Sequence, residues 1–278
     1  MGWAKKMGEI SSKWIYILLA ILLVIPLLVP IPLPLTPSHY TMEVYETIES
    51  LKPGDNVLFV IDTGTSGWPA LGPGVIALVE HLFRKDGVKV FFVEFESTSP
   101  PLVDRAVAAA PSASKKKYGE DWIHLGFVAG EETGKASFAA DIRKVISVDY
   151  KYGKPIDEYP IMKNVKNMND FKLIVEPTNA ITWMEQAIRQ WYTPYHVPII
   201  SIPPFLDVPW AENYYRAGQL KAYLAGTSGL AEYEKLLGMY GDATRGLAVM
   251  TTTHTYAIIL FVIGNISYFL SRRKKEVK

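Results

Sequence analysis

Asp62 closes a run of five apolar residues, Val57, Leu58, Phe59, Val60 and Ile61, and is followed at once by Thr63-Gly64-Thr65-Ser66-Gly67. A lone carboxylate at the end of a buried strand, with a glycine-rich turn behind it, sits where open α/β sheets bind ligands. Glu94 and Glu96 end a second apolar run, Glu176 ends another and Asp207 follows a further one. On one sheet edge these carboxylates would bind a cation or the hydroxyls of a small polar molecule. The same residues at strand ends also cap helices or face water. Asp62, Thr63, Gly64, Glu94 and Glu176 form the candidate ligand-binding set, with Asp62 its best single member.

Other chemistries lack parts. The loop at 64–74 is glycine-rich and opens a helix whose amino end could accept an anion, yet it is no G-x-G-x-x-G fingerprint. Its Trp68, Pro69 and Leu71 instead suggest an exposed apolar tip facing a protein neighbour or a membrane. Gly130-Glu131-Glu132-Thr133-Gly134-Lys135 is one residue short of a phosphate loop and has no Ser or Thr after the lysine. His39, His81, His124, His196 and His254 fall in five separate segments without metal-ligand spacing, and no G-x-S-x-G elbow is present. With no cysteine, disulfides, thiolate ligands and a cysteine nucleophile are excluded. No metal and no cofactor is expected, and the reading leans away from an enzyme.

Asp62-Thr63-Gly64-Thr65, preceded by its apolar run, resembles the loop that carries the catalytic carboxylate of aspartic peptidases. There two carboxylates share a proton and activate a water. The resemblance therefore implies a retropepsin-like homodimer with Asp62 as catalytic residue, Ile123-His124-Leu125-Gly126 as the supporting segment, and an all-β fold. It covers a handful of residues, and only one such loop is present. A helix face follows it in Val75, Ile76, Leu78, Val79, Leu82 and Phe83.

The elements that would position Asp62 alternate. Met42, Tyr45, Ile48 and Leu51 recur at helical spacing before strand 57–62. Strands 88–95, 122–129, 171–176 and 197–202 follow, with helices at 75–85, 101–118 (interrupted by Pro111), 134–148, 180–191, 211–225 and 230–240, the last two separated by Gly226-Thr227-Ser228-Gly229. Residues 149–169 read as a surface insertion with a helical turn after Pro160. Parallel strands need crossovers, so the alternation predicts a Rossmann-like open parallel sheet of five strands with helices on both faces. The simplest order is the flavodoxin-type 2-1-3-4-5.

Two uncharged stretches flank this domain. Residues 14–35 would make a helix of about 33 Å, enough to cross a hydrocarbon core, with Pro26, Pro30, Pro32 and Pro34 ending regular helix near Val29. The run is too long for a signal peptide and no small-x-small site follows, so it reads as an uncleaved anchor. Residues 247–270 form the second apolar stretch and meet Arg272-Arg273-Lys274-Lys275. Lys5, Lys6 and Lys13 precede the first. Basic residues gather on the cytoplasmic side, which predicts a cytoplasmic tail (1–13), a span (14–35), an extracytoplasmic domain (36–246), a span (247–270) and a cytoplasmic tail (271–278).

The chain carries 29 basic and 28 acidic residues. With the basic tails set aside the central domain is acidic, which argues against nucleic acid as a partner. Residues 214–240 are dense in tyrosine, leucine and alanine, with apolar residues on more than one helix face. Tyr214, Tyr215 and Tyr233, with Trp68, are the interface candidates, and closed homo-oligomers are the commonest assemblies. The leading expectation is a membrane-anchored scaffold or interaction module, partnered by the bilayer and a second copy, with other membrane proteins as further partners. A ligand- or cation-binding edge around Asp62 is the alternative.

Overall fold

The computed structural model describes residues 11–29, 31 and 33–276, with side chains to residue 269. Lys5, Lys6, Pro30, Pro32 and the side chains of Arg272, Arg273, Lys274 and Lys275 lie outside the described residues. Leu35–Gly241 form one compact unit, and the segments before and after it form another.

The central unit begins with α2 (His39–Glu49), then β1 (Asn56–Val60), α3 (Gly64–Arg84), β2 (Lys89–Glu94), α4 (Pro100–Ala109), β3 (Trp122–Phe127) and α5 (Glu131–Ala140). It continues with β4 (Leu173–Pro177), α6 (Ile181–Ala187), β5 (Ile199–Ile202), α7 (Val208–Arg216), β6 (Ala222–Tyr223) and α8 (Gly226–Leu236). The strands make one six-stranded sheet in the order β3-β2-β1-β4-β5-β6, every pairing parallel. This is the Rossmann order, with the direction of winding reversing between β1 and β4.

The sheet corrects two expectations. There are six strands, because residues 211–225 do not form one helix. α7 stops at Arg216, Gly218 turns the chain at φ 72°, and Ala222 and Tyr223 pair with Ile200 and Ser201. The 2-1-3-4-5 order also fails, since β4 rather than β3 takes the free edge of β1. β3 is bulged where Val93 pairs with Gly126, and Tyr150 N–H donates to the His124 carbonyl on its outer side. A bulged strand with its outer side covered by a loop suits an edge. β4 is buried throughout, as an interior parallel strand must be.

Side chains alternate across the sheet. Leu58 and Val60 face a core with Phe138 of α5, Met184 of α6 and Ala211 of α7. α2, α3, α4 and α8 pack together on the other side. The insertion at 149–169 is not a surface loop: Ile156, Ile161, Met162, Val165 and Met168 are all buried in the first core. α5 ends earlier than expected, at Ala140, where Asp141 becomes extended and its carboxylate accepts the Arg143 N–H. Gly226 and Gly229 lie inside the first turn of α8 rather than breaking a helix.

The glycine-rich stretch after Asp62 is helix from Gly64 onward, so it has no exposed tip. Trp68 is 6% exposed, packed against Gly72 and beneath the Arg105 guanidinium at 5.3 Å. The glycines here allow close packing: a Cβ at Gly74 would stand 2.5 Å from Leu230 and 2.8 Å from Ile202.

The second unit holds α1 (Ser12–Leu28) and α9 (Asp242–Glu276). Val29 is extended, ending α1 where its prolines predict. α9 is long and apolar enough over Asp242–Phe269 to cross a membrane, whereas α1 is a shorter apolar helix of 17 residues. The two pack together, with the Thr252 hydroxyl donating to the Leu22 carbonyl at 3.2 Å and Tyr256 to Ile15 at 3.1 Å. Asn265 hydrogen-bonds Phe261 of its own helix at 2.8 Å.

Candidate functional site at the carboxyl edge of the sheet

Asp62 stands just past β1, bridged in parallel fashion to Thr178 just past β4, and both are fully buried. One carboxylate oxygen, Oδ1, accepts the backbone N–H groups of Phe95 at 2.8 Å and Glu96 at 3.1 Å, so the end of β2 is tied to the end of β1. The other, Oδ2, lies 2.9 Å from the Lys135 ammonium. Lys135, also fully buried, reaches Glu176 Oε1 at the end of β4 and the Trp183 carbonyl at 3.3 Å. The rings of Trp191, Phe95 and Trp183 surround its Nζ at 4.7, 5.2 and 5.3 Å.

Burial by itself would depress the Lys135 pKa, but Asp62 and Glu176 outweigh it and hold the ammonium above its ordinary value. Burial pushes Glu176 up to about 8, against the pull of Lys135. The group that results is a charged lysine between a carboxylate fixed by two amides and a carboxyl whose proton burial holds more tightly than usual. Asp62, Lys135 and Glu176 are all fully buried, so the triad forms an electrostatic joint between β1, β4 and α5.

Glu94 and His124 make a second buried pair, with Nε2 3.0 and 3.1 Å from the two carboxylate oxygens, and burial raises the Glu94 pKa. Thr63 is fully buried, its hydroxyl unpartnered among the described residues. Gly64 adopts φ 58°, and its N–H donates to the Ser99 hydroxyl at 3.0 Å while Thr65 N–H donates to Thr98 Oγ1 at 3.0 Å. Both hydroxyls donate in turn to Glu96 Oε2, at 3.1 and 2.8 Å. The amino end of α3, where an anion would bind, is thus closed by the chain's own groups. Asp207 accepts the Ile181 N–H at 2.8 Å and so serves as a helix-start acceptor.

The structure therefore brings Asp62 and Glu176 together, keeps Glu94 one strand away with His124, and buries the whole candidate set. Among the interface candidates, Tyr233 is fully buried with its hydroxyl 2.6 Å from His81 Nδ1, and Tyr214 and Tyr215 are partly buried on Glu185 and Glu43. Lys135 is a site residue that no motif in the sequence singles out. Its signal was present: it shares a helix face with Phe138 and Ala139, and a lysine on an apolar face requires buried anions.

Above this joint lies a cleft of about 280 Å³ lined by Phe95, Glu96, Phe127, Gly130, Glu131 and Trp183. A larger hollow, about 500 Å³, lies between α4 and Lys151 and touches none of these groups. Among the described residues, no three His, Asp or Glu side chains converge as a metal site would require. No protein-family model matches the chain, and comparison with curated proteins finds no match. The parallel α/β sheet is not the all-β frame that the peptidase resemblance implies.

Proposed function

We propose that the chain is a membrane-tethered interaction module that pairs with a second copy of itself through the carboxyl edge of its sheet. The observation that carries this reading is a ridge of three large apolar side chains just after β5. Phe205, Leu206 and Trp210 are 77%, 81% and 57% exposed within six residues. Large apolar side chains exposed together in one short segment are the kind of surface that marks association sites in soluble domains. The Asp62 carboxylate is fully engaged by its own chain, which favours a recognition role over a catalytic one.

The membrane arrangement belongs to the same proposal. α9 and α1 form an antiparallel hairpin of spans, with both termini cytoplasmic and residues 36–246 outside, as the basic tails favour. Tethering holds copies in one plane and raises their effective concentration, so a modest ridge suffices for pairing. Because the chain has no cysteine, Leu206→Cys gives a single reporter thiol. Mild oxidation in native membranes should produce a covalent dimer. A chain that stays monomeric both in that assay and in gentle detergent would overturn the reading, and protection of the central domain from protease on sealed cells would overturn the orientation.

A further inference from the structure

We infer that the cleft beside Trp183 is a binding site for a small organic cation carrying an ammonium or guanidinium group. Three aromatic rings and two carboxylates line it: Phe95, Phe127 and Trp183, with Glu96 and Glu131. Phe127 is 42% exposed at the rim, although it ends a strand that is otherwise buried. Among the described residues, Glu96 accepts only from the Thr98 amide and the Thr98 and Ser99 hydroxyls, and Glu131 forms no ion pair. Lys135, directly beneath, is committed to Asp62 and Glu176. The cleft therefore carries two carboxylates that have no cationic partner among the described residues, next to aromatic rings, the combination that recognises ammonium groups. Phe127 and Trp183 supply the accessible rings, since Phe95 is buried and lies over the Lys135 ammonium.

Backbone geometry gives independent support. Gly130 and Glu131 take φ 98° and 48° in succession, and Glu131 is a non-glycine residue in the left-handed region. Such strain persists where a fold requires it and gathers at ligand sites. A volume near 280 Å³ is at the small end for ligand pockets, which suits a headgroup-sized cation.

The full chain in phosphatidylglycerol nanodiscs, titrated calorimetrically with choline, arginine amide and the uncharged choline isostere 3,3-dimethylbutan-1-ol, tests the proposal. At least one cation should bind and the isostere should not. Phe127→Ala and Glu131→Gln should each weaken binding about tenfold, with the ligand-free melting temperature unchanged to show that the fold is intact. Loss of free-choline binding in phosphatidylcholine nanodiscs alone would keep the cation chemistry but assign its source to lipid headgroups. Equal binding of the isostere, binding indifferent to both substitutions, or no binding of either cation at millimolar concentration would overturn it.

Discussion

Lys135 Nζ lies 2.9 Å from Asp62 Oδ2 with both side chains fully buried, so a helix that follows β3 supplies the counter-ion for a carboxylate that follows β1. Removing one partner of such a pair strands a charge in the interior, which costs far more than the pair itself contributes. Lys135→Met is expected to destabilise the domain by about 3–5 kcal/mol, a fall in Tm on the order of 10 °C for a domain of this size. Adding Asp62→Asn removes the stranded charge, so the double variant should be much less damaged than the sum of the two single ones. Thermal melts of the four proteins give the coupling energy directly, and additive losses would contradict the ion pair.

Glu176 makes stability depend on pH in an unusual direction. Its carboxyl loses a proton near 4.5 in the unfolded chain but near 8 in the fold. Between those values the folded chain binds more protons, so stability falls as pH rises through the window. Glu94, also raised by burial, acts in the same sense. Melting temperature should therefore decline from about pH 5 to about pH 8, and Glu176→Gln should flatten much of that slope. An unchanged slope in the variant would remove Glu176 as its source.

The sheet was legible in the sequence wherever apolar runs were long and uninterrupted, as at Val57–Ile61 and around Ile174, because interior parallel strands must be apolar on both faces. Strand order was not, since it is set by which strand tolerates an edge, and the Gly126 bulge that makes β3 an edge strand is a single glycine in the sequence. β6 was missed because two residues, Ala222 and Tyr223, carry no periodicity of their own. At the site, Asp62 and Glu176 were placed on the correct edge, but their burial depended on Lys135, whose segment was weighed only as a failed phosphate loop. Glycine and proline density suggests a loop around Trp68, but Gly72 and Gly74 serve close helix packing and Trp68 is buried.

Gly134, next to Lys135, should tolerate no side chain. A Cβ there would stand 2.5 Å from the Ala129 carbonyl oxygen, which is backbone and cannot turn aside. Gly134→Ala is expected to cost about 1–3 kcal/mol by overpacking. Gly74→Ala meets the ends of Leu230 and Ile202 instead, which can rotate, and should cost less. Denaturant midpoints for the two variants check the order.

Asp149 should govern the insertion between α5 and β4. Its Oδ2 accepts the Tyr118 hydroxyl at 2.6 Å and the amides of Lys151 and Tyr152 at 3.0 and 2.9 Å, while Oδ1 accepts the Lys154 amide at 2.7 Å and the Tyr159 hydroxyl at 3.0 Å. Burial would raise its pKa, but these donors prevail and hold it below the ordinary value. The stability it supplies is thus present above the unfolded value and lost as pH falls through the folded one. Asp149→Ala leaves three amides and two phenols without their shared acceptor and should cost about 3 kcal/mol. The loss should be local first, because the turn at 149–154 depends on this one carboxylate. Limited trypsin digestion should then cut after Lys151 well before the rest of the domain opens, whereas the parent chain resists there. Equal cleavage of both proteins at Lys151 would show that the carboxylate does not hold the turn.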